Sequence, residues 1–290
     1  MLPPVGTQQE QTLDYFNRSA DEWKHKAKGI TDNVNVIAER NDYVLSVAGK
    51  PGRSLDVGCG TGELVNALAG AGWNATGIDF APEMIEICKQ RASTRATFVT
   101  ASIFDYAPLE KFDLISANGF IEYISRESFV TFANRMAGWL NEGGSLVLGS
   151  RNRHFNLFSL NDYTQKEIDL GTVNRLLSES MIISNSKTVE ECILRLLELN
   201  EPLPAFDSHP DTGIGVSVRH QYTPGELLRV LHDAGLTTVD IAPIHYHAGG
   251  SRLTAEDKAA HVAFATYIYK HKSHYHIPFS SSFMVRASKL

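Results

Sequence analysis

The sequence predicts an α/β fold built on a doubly wound, mostly parallel sheet of seven strands. From Ser54 onward, short apolar runs alternate with amphipathic segments, which is typical of parallel strands joined by helices. The Thr-x-x-Glu spacing at 223–226 is a capping-box pattern that starts a further helix late in the chain. A chain of 290 residues with 43% hydrophobic content is also large enough to bury one sizeable core.

Each predicted strand is a short apolar run bounded by turn or helix signals. Pro82 starts one connecting helix, because its missing amide hydrogen costs least in the first turn. A later helix carries Phe129 and Phe132 at helical spacing and is predicted to stop at Gly143-Gly144. The strands are predicted at 55–57, 75–79, 97–100, 112–117, 145–149, 237–244 and 282–287.

The chain divides into four predicted segments. Residues 1–50 show helical spacing and are predicted to form an N-terminal helical lid. Residues 51–150 form the ligand-binding core of the sheet, and residues 223–290 form its C-terminal part. Between them, residues 151–222 lack clear strands and are too many for a plain connection, so we predict a helical insertion or lid after the fifth strand.

Two amphipathic stretches of this insertion, 168–177 and 189–199, are predicted to be helical. Three leucines of the second stretch, Leu194, Leu197 and Leu199, could cover a ligand pocket or pack between two copies of the chain. The sequence leaves both alternatives open, and the second would give a homodimer formed through the insertion.

Composition and charge weigh against several classes of protein. The net charge of −6 and the pI near 6.0 weigh against a nucleic-acid partner, because phosphate binding needs a basic surface. No apolar run reaches the roughly 20 residues that span a bilayer, and the first ten residues lack the features of a secretory signal. Cys59, Cys88 and Cys192 form neither a disulfide framework nor a CxxC metal site. We therefore expect a cytoplasmic protein without a membrane span.

A group of histidines late in the sequence raises the alternative of a zinc site. His271, His274 and His276 are close in sequence, and His245 and His247 could join them. No cysteine or paired carboxylate accompanies them, and their spacing fits no standard zinc site. We therefore expect no metal, and a solvated histidine-rich loop instead.

A glycine-rich loop, Asp-Val-Gly-Cys-Gly-Thr-Gly at 56–62, follows the first predicted strand and leads into a helix. Such a loop offers backbone N–H groups and a helix dipole to a ligand, although a tight turn without a ligand can have the same glycines. Asp79 closes the next strand, where a carboxylate accepts the ribose hydroxyls of an adenosine ligand.

Two acidic residues discriminate between adenosine cofactors. Asp56, beside the turn, would repel a pyrophosphate, whereas S-adenosylmethionine has no phosphate and carries an ammonium group. Glu63 stands where the dinucleotide pattern wants glycine. An S-adenosylmethionine site is therefore favoured, and a nicotinamide-dependent oxidoreductase is the poorer alternative.

These residues carry a family resemblance. The loop at 56–62, together with Gly-Ile-Asp at 77–79, resembles motifs I and II of the class I S-adenosylmethionine-dependent methyltransferases. The order of elements outside 151–222 is similar to the Rossmann-like fold of that family. The resemblance implies S-adenosylmethionine as the cofactor and S-adenosylhomocysteine as the product.

A narrower resemblance rests on three further stretches. Tyr-Phe-Asn at 15–17 with Ala20, the region of Glu122, and Tyr-Thr-Pro-Gly-Glu-Leu at 222–227 resemble the small-molecule methyltransferases of the ubiquinone-biosynthesis type. These stretches imply an O-methyltransferase of a small molecule, but they do not name the acceptor.

The resemblance implies cofactor-binding roles at matching positions. Asp79 would hold the ribose, with Phe80 and Met84 along the adenine. Ser102 stands where the family often has an acidic residue for the adenine amino group, and this departure leaves that contact to Ser102 or to a backbone group. Asn118 would approach the sulfonium. The full set is Asp56, Gly58, Cys59, Gly60, Gly62, Asp79, Phe80, Met84, Ser102, Ile103, Asn118 and, as a lid, Trp23.

Methyl transfer to a hydroxyl gains from a base that removes the acceptor proton, and histidine is best matched to neutral pH. In an open α/β sheet, the acceptor is expected outside the carboxyl ends of the strands. His154, after the fifth strand, is the first candidate base, followed by His220 and His245. Each could instead be a surface or hydrogen-bonded structural residue. Glu122 and Arg151 are further polar candidates at the same edge.

The sequence therefore predicts an enzyme that transfers a methyl group from S-adenosylmethionine to a hydroxyl of a small molecule, such as a metabolite, a natural product or a sugar. Transfer to nitrogen or carbon stays open, as does a binding module that keeps the cofactor without turnover. No feature of the insertion identifies the acceptor.

Overall fold

The computed structural model describes residues 5–20, 22–23, 35–199, 203–204, 216, 219–247 and 256–290. Within these residues, seven strands form a single sheet. They are β1 (Arg53–Val57), β2 (Asn74–Asp79), β3 (Ala96–Thr100), β4 (Phe112–Asn118), β5 (Leu140–Arg151), β6 (Thr237–Tyr246) and β7 (Ser280–Ser288). The seven predicted strands are confirmed.

Helices connect the strands and cover the sheet. Before β5 lie α1 (Val5–Arg18), α2 (Val36–Val47), α3 (Glu63–Gly70), α4 (Pro82–Lys89) and α5 (Arg126–Trp139). After β5 lie α6 (Asn156–Ser159), α7 (Asp162–Asp169), α8 (Val173–Asn185), α9 (Val189–Leu197), α10 (Pro224–Asp233) and α11 (Lys258–Lys270). Short 3-10 helices occupy Ile121–Tyr123, Arg153–Phe155 and His274–Phe279. In the described ranges, no helix combines the length and the apolar character needed to cross a bilayer.

The strand order of the sheet is β3-β2-β1-β4-β5-β7-β6. The first five strands pair in parallel, and β7 pairs antiparallel with both β5 and β6. The predicted doubly wound, mostly parallel sheet is therefore confirmed. The chain winds outward in one direction from β1 and in the other from β4, so a crevice opens between the carboxyl ends of these two strands.

Successive residues of each strand supply two separate cores, because strand side chains point alternately to opposite faces. On β5, Leu146 and Leu148 pack into the larger core with α5, α9 and α10. Val147 faces the other core, under α2, α3 and α4. Both faces of the sheet are thus covered, so the ligand-binding surface is confined to the strand ends.

Helix α10 begins as the sequence predicts. The Thr223 Oγ1 atom accepts a hydrogen bond from the Glu226 N–H at 3.2 Å, and Glu226 Oε2 accepts one from the Thr223 N–H at 2.9 Å. This reciprocal pair satisfies N–H groups that have no partner within the helix, so the predicted capping box is confirmed.

Two predicted helix boundaries are wrong. The stretch 168–177 contains the end of α7 and the start of α8, because Gly171 interrupts the helix with φ of +68°. Helix α5 ends at Trp139 rather than at Gly143-Gly144, because the backbone is already extended at Leu140. Parts of the predicted N-terminal lid (1–4, 21 and 24–34) and of the predicted insertion (200–202, 205–215 and 217–218) lie outside the described residues.

Candidate active site

A cavity of about 580 Å³ opens at the carboxyl ends of the strands. Its walls come from the glycine loop after β1, the ends of β2, β4, β5 and β6, the first turns of α2, and the chain between 155 and 163. Small-molecule pockets usually enclose about 300–1,000 Å³. The crevice expected from the strand order is therefore a place where the protein can enclose a ligand.

Two glycines of the loop have different tasks. Gly60 lines the cavity, and a Cβ atom added there would meet no atom within 4 Å. Gly62 does not line the cavity; its φ is +80°, and an added Cβ would lie 2.8 Å from the Phe98 ring and 2.9 Å from Cys88 Sγ. Gly60 therefore leaves the backbone accessible to a ligand, whereas Gly62 lets α3 begin in close contact with Phe98 and Cys88.

The Asp79 carboxylate fixes the glycine loop. Its Oδ2 atom accepts a hydrogen bond from the Gly60 N–H at 3.0 Å, and its Oδ1 atom accepts one from the Ala81 N–H at 2.9 Å. Burial raises the pKa of Asp79 to about 6, although the hydrogen bonds from Ala81 and Gly60 oppose the shift. The end of β2 and the loop after β1 are thereby joined into one wall of the cavity.

Asp56 places a second buried carboxyl group in the same wall. Ser116 of β4 donates its hydroxyl to Asp56 Oδ1 at 2.7 Å, and burial raises the pKa of Asp56 to about 7. Among the described side chains, neither Asp56 nor Asp79 forms an ion pair. Two buried carboxyl groups without a basic partner favour a ligand that carries positive charge.

Apolar side chains line the wall beyond Asp79. Phe80, Met84 and Ile103 lie there together with Trp23, which approaches from the N-terminal segment. Ser102 Oγ accepts a hydrogen bond from the Phe104 N–H at 3.2 Å, so its hydroxyl hydrogen can be donated to a ligand. An apolar wall with one hydroxyl donor suits a heteroaromatic ring.

Asn118 lines the cavity at the end of β4, as Gly58 and Cys59 do at the end of β1. Its Nδ2 donates to Asn41 Oδ1 at 3.3 Å. Its Oδ1 is buried and has no hydrogen-bond partner within the part of the chain that the structure describes. A buried acceptor without a donor is costly, so Asn118 offers an oxygen to a bound ligand.

Of the three candidate bases, His245 lines the cavity, and His154 and His220 do not. The ring of His154 is fully buried, with Nε2 3.1 Å from Glu179 Oε2 of α8. The backbone N–H of His220 donates to the Glu122 carbonyl at 2.7 Å, and burial lowers the pKa of its ring to about 4. The structure therefore does not bring these three histidines together.

His245 is held by its neighbours in an unusual backbone conformation. Its φ is +57°, and its N–H donates to Glu39 Oε2 at 3.0 Å. Its Nδ1 lies 2.8 Å from Ser281 Oγ of β7. Burial lowers the pKa of His245 to about 4, with His261 and Arg40 adding to the shift. The imidazole is therefore neutral at neutral pH.

Three arginines surround Glu122 in another part of the cavity wall. Glu122 Oε1 accepts from Arg40 Nη2 and from the Arg151 backbone N–H, each at 3.1 Å, and Oε2 accepts from Arg219 Nε at 2.9 Å. Burial raises the pKa of Glu122, but the charges of Arg219, Arg40 and Arg151 outweigh it and hold that pKa below its usual value. Glu122 is therefore an ionised carboxylate with both oxygens occupied.

The sequence indicated Glu122 and Arg151 at this edge of the sheet but not Arg40 and Arg219. Arg40 precedes the buried residues Tyr43 and Val44 by three and four positions, so it lies on the buried face of α2. A charged residue at an inward helical position is a signal that could have been used. Arg219 lies in an irregular segment, and no pattern indicated its position.

The predicted insertion contributes residues from its beginning and from its end, Arg219 and Gln221, to the cavity rather than its leucines. Phe155, Asn156 and Tyr163 line the wall. Leu194 is 57% exposed, and the adjoining leucines, Leu197 and Leu199, pack against the larger core. None of the three lines the cavity.

The histidine-rich segment after α11 differs from the solvated loop that was predicted. His274 is buried, and its Nε2 lies 3.0 Å from the Ser186 carbonyl. His276 Nδ1 accepts a hydrogen bond from the Ser273 N–H at 3.1 Å. Among the residues that the structure describes, no group of three or more His, Cys, Asp or Glu side chains is arranged to hold a metal ion.

Comparison with known proteins gives the family. A family model described as a methyltransferase domain matches residues 55–144. A ubiquinone biosynthesis O-methyltransferase of Xanthomonas oryzae pv. oryzae is 30% identical over 167 residues, which cover 54% of this chain and 68% of that protein. This chain belongs to the S-adenosylmethionine-dependent methyltransferases. The protein of the same name from Xanthomonas campestris pv. campestris is 32% identical over 155 residues, which cover 51% of this methyltransferase and 64% of its relative, slightly less than two thirds.

Solved methyltransferases share the fold across nearly the whole chain. Magnesium protoporphyrin IX methyltransferase from Synechocystis PCC 6803, with bound S-adenosylhomocysteine, has a TM-score of 0.57 and 14% identity, covering 98% of this chain and 100% of that one. The 1,6-didemethyltoxoflavin-N1-methyltransferase of Burkholderia thailandensis has a TM-score of 0.59 and 14% identity. The match covers 100% of this chain and 92% of that one. At this identity the likeness shows the fold alone.

The cofactor of this methyltransferase family fits the cavity wall around the glycine loop. S-adenosylmethionine carries an ammonium and a sulfonium, and the buried carboxyl groups of Asp56 and Asp79 are without a cationic partner among the described residues. Gly60 leaves open space where a side chain would stand. Family membership also decides between the two cofactors weighed from the sequence, in favour of S-adenosylmethionine.

Proposed function

We propose that this methyltransferase transfers a methyl group to a hydroxyl of a small-molecule acceptor, with His245 as the base. The observation that carries the proposal is that His245, Gly60 and Asp79 line one cavity. A shared enclosure aligns the reacting groups and excludes water, which is the main contribution a protein can make to this displacement. The names of the Xanthomonas relatives, which specify O-methylation, support the same acceptor atom.

The wall around the glycine loop would hold the cofactor, which supplies an electrophilic methyl group when bound. Each Asp79 oxygen accepts one backbone N–H and keeps a second lone pair for a ribose hydroxyl. Asp56 would offset positive charge on the methionine part. Phe80 and Met84 would pack on the adenine, and the Ser102 hydroxyl would donate to a ring nitrogen.

Asn118 and Trp23 would complete this part of the site. The free Oδ1 of Asn118 would accept a hydrogen bond from the ammonium of the methionine part, since it has no other donor within the described residues. Trp23 would cover the cofactor from the N-terminal segment, where it packs beside Phe16 at a ring-centroid distance of 5.9 Å. Helix α1 and Trp23, which are the described parts of this segment beside Phe80, would thus act as a lid.

His245 is suited to accept the proton of the acceptor hydroxyl. The Ser281 hydroxyl lies 3.2 Å from the His245 carbonyl and 2.8 Å from His245 Nδ1. When Ser281 donates to the carbonyl, Nδ1 carries the hydrogen and donates it to Ser281 Oγ. Nε2 then keeps its lone pair. The lowered pKa keeps the imidazole unprotonated at neutral pH, which is the form that a general base requires, and it also makes the ring a weaker base than an exposed histidine.

The proposal is tested by supplying S-adenosylmethionine with pairs of small molecules that differ only in a hydroxyl or an amino group, such as catechols with aminophenols and sugars with amino sugars. Release of S-adenosylhomocysteine, with the methyl group located on the product by mass spectrometry, should occur with hydroxyl members. Methylation of the amino members alone would overturn the proposed acceptor atom. Failure of S-adenosylhomocysteine to bind would overturn the proposed function altogether.

A further inference from the structure

We propose that the acceptor is an organic anion, whose carboxylate or phosphate group lies against Arg151 and Arg219. This inference rests on the proposed function, because it names the chemical class of the acceptor for the same cavity. Charge is distributed unevenly over the cavity wall, and only some of the charged groups already have partners.

The cavity wall is electrically divided. Asp56, Glu63 and Asp79 line it around the glycine loop, and this acidic part suits the cationic cofactor. The wall around Glu122 is basic, because three guanidinium groups lie beside one carboxylate, which leaves a net of two positive charges. S-adenosylmethionine carries one carboxylate, which can offset at most one of these two charges, so positive charge remains for the acceptor.

The Glu122 carboxylate cannot offset the remaining arginine charge. Both of its oxygens are occupied, by Arg40 and the Arg151 backbone on one side and by Arg219 on the other. Arg40 is committed further, because its Nε and Nη2 donate to Ser282 Oγ at 3.1 and 2.6 Å. Arg40 and Glu122 therefore form a fixed support, and the charge available to a ligand lies on Arg151 and Arg219.

Arg151 has a donor with no partner. Its Nη1 is buried in the protein and makes no hydrogen bond to any described residue. Its guanidinium lies over the Tyr163 ring, 5.4 Å from the ring centre, and Arg219 lies in the same way over Tyr123 at 5.7 Å. Planar guanidinium groups seated on aromatic rings are held in place, and their edges match the paired oxygens of a carboxylate or a phosphate.

The chemical class of the acceptor follows from the free-energy cost of burying the charges of Arg151 and Arg219. A buried positive charge without a counter-charge is unfavourable, and so is a buried N–H without an acceptor. A cationic acceptor would be repelled, and a neutral one would leave the charge uncompensated. An anionic acceptor would supply both missing partners while the rest of the molecule stays in the cavity that His245 also lines.

The test compares benzoate with benzamide, which have nearly the same shape but differ in charge. Binding to the full chain, saturated with S-adenosylhomocysteine, is measured by ligand-observed NMR. Benzoate should bind at least about fivefold more tightly than benzamide, and added salt should reduce the difference. Arg151→Met should remove this preference. Arg95→Met is the matched control, because Arg95 is an exposed arginine outside the cavity whose guanidinium bonds Asn74 Oδ1.

Inorganic phosphate is used to distinguish an acceptor that binds through a phosphate group from one that binds through a carboxylate. Displacement of benzoate by phosphate would assign the site to phosphorylated as well as carboxylated acceptors, and lack of displacement would assign it to carboxylates. Equal binding of benzoate and benzamide, no binding of either, or an unchanged preference in Arg151→Met would overturn the inference. Failure of S-adenosylhomocysteine to bind would contradict the proposed function instead, since benzoate and benzamide can then be compared on the protein alone.

Discussion

The Oδ2 atom of Asp79 accepts a hydrogen bond from the backbone N–H of Gly60 at 3.0 Å. One side chain at the end of β2 therefore sets the position of the loop at the end of β1. In Asp79→Asn, one of the two N–H groups that this carboxylate binds would face an amide NH2 group. We expect the variant to bind S-adenosylhomocysteine about tenfold more weakly or worse, measured by isothermal titration calorimetry.

Asp105→Asn is the matched control for this experiment. Asp105 is exposed, lies in the loop after β3 and does not line the cavity. Its replacement should leave the affinity unchanged. If Asp79→Asn kept the parent affinity, the hydrogen bonds to Gly60 and Ala81 would not be what positions the loop for the cofactor.

The buried Asp56 makes the stability of the cofactor-free protein depend on pH. Burial raises its pKa to about 7, whereas an unfolded chain has a value near 4. Between these values the folded state binds more protons than the unfolded state, so stability falls as pH rises through this window. Asp56→Asn removes the free-energy cost of ionising this buried carboxyl group. The difference in Tm between the variant and the parent protein should therefore grow from pH 5 to pH 8. Asp105→Asn, melted in parallel, is the control. If the Tm difference between Asp56→Asn and the parent stayed constant from pH 5 to pH 8, the raised pKa of Asp56 would be refuted.

The buried ion pair of Arg153 with Glu167 makes the segment after β5 sensitive to a single change. Arg153 Nε and Nη2 each lie 2.9 Å from a Glu167 oxygen, and the two side chains are 1% and 0% exposed. Glu167→Gln would remove the carboxylate that faces this buried guanidinium and would turn an amide NH2 group toward one of its N–H donors. We expect a loss of about 3–5 kcal/mol in the free energy of unfolding, measured by urea denaturation.

An exposed ion pair provides the comparison. Glu86 and Lys89 on α4 lie 2.9 Å apart, with side chains 67% and 54% exposed. Glu86→Gln should change the free energy of unfolding by no more than about 0.5 kcal/mol. A loss in Glu167→Gln as small as this would show that the buried pair does not stabilise the fold.

His245→Asn tests the proposed base. Asparagine adopts positive φ more readily than most residues, so the backbone at +57° can be kept. We expect kcat to fall by about 100-fold or more, with the affinity for S-adenosylhomocysteine retained. His232→Asn, at an exposed position on α10, should keep the parent kcat. A greater loss of kcat in His154→Asn, at an equal folded fraction, would move the role of base to His154.

The fold and the part of the cavity wall around the glycine loop could be predicted because their signals are local. The strand, the glycines and the acidic residues of the loop stand next to one another in sequence, and Asp79 follows at the fixed distance of one strand–helix–strand unit. Of the residues assigned to the cofactor from sequence, all except Gly62 line the cavity. Gly62 belongs to the same motif, but its position serves packing against Phe98 and Cys88.

The part of the cavity wall around Glu122 and His245 could not be predicted in the same way, because it is assembled from distant parts of the chain. Position after β5 was the argument for His154, but the chain turns there into the 3-10 helix Arg153–Phe155. Arg151 lines the cavity, whereas His154 lies beside Glu179. The sequence predicts where the strand ends, but it does not predict the direction in which each of the following side chains points. Arg40 reaches the site from a helix more than 80 residues before Glu122, and no spacing rule connects them.

The position of β7 in the sheet imposes an order on the assembly of the molecule. β7 lies between β5 and β6 although it follows both in the chain, so β6 gains its neighbour only when β7 inserts. His245 belongs to β6, and its contact Ser281 belongs to β7. The loop at 56–62 and Asp79 come from strands that are adjacent in sequence, whereas His245 and Ser281 meet only through the insertion of the last strand. The two walls of one cavity therefore depend on contacts of very different sequence separation.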